Sequence, residues 1–166
     1  METMNAQKHT IGVLVENQPG VLSRVTGLFS GRGFNIESLT VAETIEPGLS
    51  RITLVTSGDQ AVLEQITKQL NKLINVIKVI DFRDTEFVNR EMALVKVRAD
   101  AETRAEVFRI SDIFRGKVVD VSPNHYTIEV TGNEEKIGAI LELLKQYGII
   151  ELARTGKAAL ARSKKH

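Results

Sequence analysis

Apolar positions run almost without a break from Ile11 to Val15, which predicts a strand buried on both faces. The spacing then changes. Val21, Leu22, Val25, Leu28 and Phe29 recur at helical intervals and predict one apolar stripe on a helix that stops in Gly31-Arg32-Gly33, where glycine can take a left-handed cap. Leu39 and Val41 alternate with Ser38, Thr40 and Ala42 as in a half-buried strand. Glu46-Pro47-Gly48 marks a turn, and Ser50 to Thr56 returns as the hairpin partner. Gly58-Asp59 opens a second helix with Val62, Leu63, Ile66, Leu70 and Leu73 facing inward, and Val76 to Phe82 closes as a fourth strand. The order β-α-β-β-α-β predicts a ferredoxin-like unit, an antiparallel sheet with both helices on one face.

After a polar joint at Arg83 to Glu86 the order repeats. Met92 to Ala99 reads as a strand, and Val107, Ile110 and Phe114 as a helix. Lys117 to Val121 and Tyr126 to Val130 pair across Ser122-Pro123-Asn124. Ile137, Ile140, Leu141 and Leu144 mark a further helix, and Ile149 to Ala153 a last strand. The predicted fold class is α+β, two tandem ferredoxin-like βαββαβ domains, over 9–83 and 84–162, with flexible ends at 1–8 and 163–166. The basic tail from Arg162 to His166 is expected to fray.

Composition narrows the chemistry. A formal net charge of +1 provides no bulk field toward nucleic acid or an acidic membrane. Without cysteine there is no disulfide, thiolate metal site or thiol nucleophile. The first nine residues contain no apolar signal core, and no apolar run nears the roughly 20 residues of a membrane helix, so a soluble cytoplasmic protein is expected.

Catalytic and metal constellations are hard to build from three histidines. His9 lies before the first predicted strand, His125 in a hairpin turn and His166 at the end, so all three are expected to be solvated, with no catalytic and no metal residues. Glu134, Glu135 and Glu142, like Glu43 and Glu46, read as solvated faces. No dinucleotide or Walker motif is present. An RNA-binding sheet needs exposed aromatic residues, whereas the outward strand positions here are mostly Ser, Thr, Arg and Glu. An acylphosphatase-like hydrolase shares the topology but needs an arginine in its phosphate loop; Asn17-Gln18-Pro19-Gly20 has none, and Arg24 lies one turn into the helix.

That elbow holds the chemistry. The first amides of a helix are unsatisfied and attract a carboxylate, worth about 0.3–1 kcal/mol and up to about 2 when partly buried. Gly20 leaves the approach open, and Pro19 fixes the chain direction without a competing donor. Asn17 and Asn35 offer both donors and acceptors, so together they could serve the carboxylate and ammonium of an amino acid. Val21, Leu22 and Ile36 would suit a branched apolar side chain. On spacing alone a helix-capping Asn17 and a Pro-Gly turn account for the same residues.

"ENQPGVLSRVTGLFSGRGFNIESLTVAET", from Glu16 to Thr44, resembles the ACT-domain segment of the small regulatory subunits of acetolactate synthase. "PGVL" is shared by ACT domains generally; "RGFNIESLTV" is narrower. "VNREMALVKV", "IFRGKVVDVSPNHYTIEVTG" and "ELARTGKAALAR" extend the resemblance over nearly the whole chain. The resemblance implies a subunit without its own active site that binds and activates the catalytic large subunit. It also implies feedback sensitivity to branched-chain amino acids, valine above all. Thiamine diphosphate, Mg²⁺ and FAD are then expected on the large subunit, and none on this chain. The effector is expected between the ACT domains of a homodimer, with Asn17, Gly20, Val21 and Leu22 from one chain and Asn35 and Ile36 from the other. A stand-alone amino-acid sensor remains the alternative, and after it the hydrolase.

Overall fold

The computed structural model describes residues 7–164. The expected flexible ends therefore fall mostly outside the described residues, as does His166, while Lys8 opens the first strand. The chain divides into two compact bodies. One comprises the chain up to Val88 together with the stretch from Lys157 onward, the other Asn89–Gly156.

The first body runs β1 (Lys8–Glu16), α1 (Val21–Ser30), β2 (Asn35–Glu43), β3 (Leu49–Ser57), α2 (Gln60–Lys72) and β4 (Val76–Asp81). Its sheet has the order β2-β3-β1-β4, and the pairs β1–β3, β1–β4 and β2–β3 are all antiparallel. This is the ferredoxin-like arrangement, with β2 and β4 at the edges. Alternate residues of β1 (Ile11, Val13, Val15) meet Ile52 and Leu54 of β3, Val21, Val25 and Phe29 of α1, and Leu63, Ile66 and Leu70 of α2 in one core. The other face of β1 is also covered. Phe82 is buried and packs against Phe87, and a Cβ on Gly12 would lie 3.3 Å from the Phe82 ring.

Local chemistry sets the helix ends. Gly33 has φ +73°, and Phe34 N–H donates to Phe29 C=O at 3.0 Å while Gly33 N–H reaches Ser30 C=O at 3.3 Å. These two bonds form the Schellman closure, and its usual apolar contact is present as a T-shaped Phe29–Phe34 pair. Asp59 caps α2, its Oδ1 accepting from Ala61 N–H at 2.7 Å.

Three expectations change here. Leu22, expected within the apolar stripe of α1, points outward, because Val21, Val25 and Phe29 at i, i+4 and i+8 already fill the buried face. Val41 is also exposed, since β2 is an edge strand with a register shift between Ile36 and Ser38. His9 is not solvated: it lies inside β1, 2% exposed, with Nε2 3.3 Å from Gly58 C=O. Its alternation with Ile11 places it on the core face, one pair beyond the apolar run.

A short strand not expected from the sequence, β9 (Ala158–Ala161), belongs to the first body. Arg162 N–H donates to Glu86 C=O at 2.8 Å, and Arg51 Nη2 donates to the carbonyl of buried Ala159 at 2.9 Å.

The order repeats with β5 (Phe87–Arg98), which belongs to the second body from Asn89 onward, then α3 (Arg104–Ile113), β6 (Lys117–Val121), β7 (His125–Gly132), α4 (Glu134–Leu144) and β8 (Ile149–Arg154), in sheet order β6-β7-β5-β8. Ala93, Val95 and Val97 pack with Val107, Ile110, Ile128, Ile137, Ile140 and Leu144. His125 begins β7 half-buried, its Nδ1 2.8 Å from Ser122 Oγ, so it too departs from the solvated expectation. The chain is thus two tandem βαββαβ ferredoxin-like domains.

Candidate functional site

The strand β1 ends at Glu16, and four exposed residues, Asn17 to Gly20, turn the chain into α1. Gly20 is the N-cap residue in the left-handed region, with φ +84° and ψ −8°. An L-residue with a Cβ is disfavoured there, so the glycine follows from the backbone path. Asn17 is not the cap. Its backbone N–H is held by Gly48 C=O at 2.7 Å, and Gln18 N–H by Glu16 C=O at 2.9 Å.

Among the described residues no side chain caps α1. Val21 N–H makes a long bond to Gln18 C=O at 3.3 Å, and Arg24 N–H closes the first turn on Gly20 C=O at 3.1 Å. The intervening amides of Leu22 and Ser23 have no partner among the described residues, so the positive end of the helix remains available to an anion. Arg24 adds to it. Its Nε lies 3.4 Å from Gly20 C=O, and its Nη2 would stand 3.9 Å from a Cβ placed on Gly20. The side chain therefore folds back over the elbow. The sequence placed Arg24 one turn into the helix; its signal was the i, i+4 spacing from Gly20, which brings a long side chain back to the cap.

The six candidate residues do not meet within one chain. Asn17, Gly20, Val21 and Leu22 sit at the end of β1. Val21 turns its side chain into its own core and presents only its backbone to the elbow, whereas Leu22 stands beside it in solvent. Asn35 and Ile36 begin β2. Asn35 pairs with Ser57, which also faces Lys8 at the start of β1. Since β1 is nine residues long, at roughly 3.3 Å per residue its ends lie on the order of 26 Å apart. The Asn35 side chain is exposed, its carbonyl accepts from Thr56 Oγ1 at 2.8 Å, and Ile36 packs partly against the core.

Other chemistry is sparse. Among the described residues no group of three or more His, Cys, Asp or Glu could hold a metal ion. None of the helices among them is long and apolar enough to cross a membrane.

Comparison with known proteins matches residues 11–78 to the AHAS small subunit-like ACT domain and residues 90–163 to the small subunit of acetolactate synthase. A probable acetolactate synthase small subunit of Methanothermobacter thermautotrophicus is 56% identical over 163 residues, covering 98% of this chain and 97% of the relative. The acetolactate synthase small subunit of Aquifex aeolicus is 55% identical over 157 residues, covering 94% of this chain and 82% of its own. Among solved structures, the acetolactate synthase small subunit from Thermotoga maritima superposes with a TM-score of 0.85 at 45% identity, covering 96% of this chain and 99% of that one. Both domains, in the same order and over nearly their full length, are those of one family: this chain is a member of the acetolactate synthase small-subunit family.

Proposed function

We propose that this chain binds the thiamine-diphosphate-dependent catalytic subunit of acetolactate synthase, raises its activity, and makes it sensitive to a branched-chain amino acid, valine foremost. Thiamine diphosphate, Mg²⁺ and FAD belong in this reading to the catalytic subunit, which condenses pyruvate with pyruvate or 2-oxobutyrate. The chain itself contributes no catalytic residue and binds as a homodimer.

The observation that carries this reading is the uncapped start of α1 behind a left-handed Gly20. Backbone amides at Leu22 and Ser23, with the Arg24 side chain folded back to Gly20, form a seat for the effector carboxylate. Leu22 supplies exposed apolar surface for its side chain. The ammonium needs acceptors, and Asn17 alone is a thin set. The separation of the two asparagines supplies the answer. β2 is an edge strand, and its antiparallel pairing with a second copy's β2 would carry the second copy's Asn35 end toward the first copy's Glu43 end, beside the elbow. The same pairing would cover an open sheet edge. An effector bridging two chains favours the dimer arrangement that closes on it, and coupling of about 1–3 kcal/mol suffices for feedback.

Titration calorimetry with L-valine, followed by reconstitution with the catalytic subunit, tests the reading. Wild type should bind valine saturably, one molecule per site between chains, and should confer valine inhibition on the activity it raises. Gly20→Asn keeps a residue that tolerates the left-handed conformation; Gly20→Asp adds a carboxylate within reach of Arg24. Loss of valine binding in Gly20→Asp but not Gly20→Asn supports the carboxylate seat. Equal binding by wild type and Gly20→Asp removes it.

A further inference from the structure

We infer that the end of the first sheet beside the elbow is the surface that grips the catalytic subunit, through two isoleucines, Ile45 and Ile74, set on loops bonded to the elbow. This rests on the regulatory-subunit reading above and adds the surface through which it acts.

Ile45 is fully exposed at the tip of the β2–β3 hairpin, and Ile74 is 91% exposed in the turn between α2 and β4. Exposed apolar residues are common singly. These two differ in being displayed on loops whose backbones are tied down. Thr44 N–H donates to Leu49 C=O at 2.8 Å, Thr44 Oγ1 accepts from Glu46 N–H at 3.1 Å, and Leu49 N–H returns to Glu46 C=O at 3.2 Å. The hairpin tip is thereby held with Ile45 pointing away from the fold. At the other loop Val76 N–H closes on Leu73 C=O at 3.1 Å, which displays Ile74 in the same way. An anchor residue held in its bound form loses little conformational entropy when it docks.

Both loops are joined to the elbow between them. Asn17 N–H donates to Gly48 C=O on the hairpin side at 2.7 Å, and Glu16 N–H donates to Asn75 C=O at 2.8 Å on the other. Asn75 Nδ2 also donates to Glu16 Oε2 at 3.1 Å. Two successive residues, the last of β1 and the first of the elbow, therefore hold the two loops that carry the isoleucines. A change in the elbow's backbone reaches both.

The occupant follows from the sheet order. β2 and β4 are opposite edges, three strand spacings or roughly 14 Å apart. A second copy pairing along β2 runs along the flank of the sheet, and Ile45 lies beyond the last paired residues, Glu43 and Ser50. Such a copy cannot also cover Ile74 beside β4. A surface holding both isoleucines across the sheet's end therefore fits a different protein, and the catalytic subunit is the one the family requires. Its complementary face would offer two apolar sockets, the one for Ile45 edged with basic groups to meet exposed Glu43 and Glu46.

The test is reconstitution of the full chain with the catalytic subunit, titrating Ile45→Lys, Ile74→Lys and the double variant. Val121→Lys, at an exposed apolar position in the second body, serves as the comparison. Ile45→Lys and Ile74→Lys should each raise the half-saturating concentration for activation at least tenfold, and the double variant should raise it further. Val121→Lys should match wild type. Calorimetric valine binding, and dimer mass by sedimentation, should be the same for all. Unchanged half-saturation in the double variant overturns the surface while leaving the regulatory reading intact. Dissociation of the double variant into monomers also overturns it, by assigning the isoleucines to contact between copies. Failure of wild type itself to activate removes the regulatory reading and this inference together.

Discussion

The backbone N–H of Asn17 donates to the carbonyl of Gly48 at 2.7 Å, joining the loop that precedes α1 to the turn that closes the β2–β3 hairpin. Gly48 has φ +83°, a conformation that costs an L-residue about 1–2 kcal/mol. Gly48→Ala should lower unfolding free energy by about 1 kcal/mol in urea titrations. It should also weaken valine binding, because relieving the strain moves the carbonyl that positions Asn17. Gly138→Ala, at an exposed position of α4 with nothing within 4 Å of the added methyl, should instead be stabilising by up to about 1 kcal/mol.

Gly58 is a glycine for a different reason. A Cβ there would sit 2.5 Å from the ring of Phe34, which is buried and packs edge-on to Phe29. Gly58→Ala should destabilise by about 1–3 kcal/mol through overpacking. Phe34→Leu in the same chain should recover part of that loss, and a double-mutant cycle by thermal or chemical denaturation would measure the coupling.

Glu91 is a buried carboxylate on β5, met by the guanidinium of Arg154 on β8. Arg154→Met leaves that charge without its partner and should cost about 2–3 kcal/mol, below the full cost of breaking a buried pair because Arg154 is itself partly exposed. Combining Arg154→Met with Glu91→Leu should restore much of the stability. A double variant no better than Arg154→Met alone would count against the ion pair.

Asp100 precedes α3 and accepts from the N–H of Thr103 and the N–H of Glu102, and from the Thr103 hydroxyl, which together hold its carboxyl below the usual carboxylate range. A carboxyl lowered in the folded state contributes stability that is present above its unfolded pKa, about 3.9, and lost as pH falls through the folded value. Acid titration of wild type should therefore show an extra loss of stability below about pH 4. Asp100→Asn should remove that increment while leaving the neutral-pH unfolding curve nearly parallel.

Most of the fold was legible because it rests on periodicity. Val21, Val25 and Phe29, or Leu63, Ile66 and Leu70, have no other way to leave water together than on one helix face. The misreadings arose where that periodicity ends. Leu22 was drawn into a stripe already filled by its neighbour Val21. Val41 alternates correctly but lies on an edge strand, where half of its cover is missing. His9 extends the inward alternation of Ile11 and Val13 backward as a polar residue, so pattern alone began the strand too late.

By itself the sequence determined the two βαββαβ units, the glycine turns, and the family, because hydrophobic spacing, turn chemistry and motif identity are local properties of the chain. Tertiary structure alone decided that Gly20 rather than Asn17 stands at the N-cap position of α1 and leaves it uncapped, that Arg24 folds back over it, and that the stretch from Lys157 returns to the first body. It also decided that Asn17 and Asn35 stand at opposite ends of one sheet. These depend on which backbone groups become neighbours once distant strands pair, and strand pairing joins residues that no local pattern brings together.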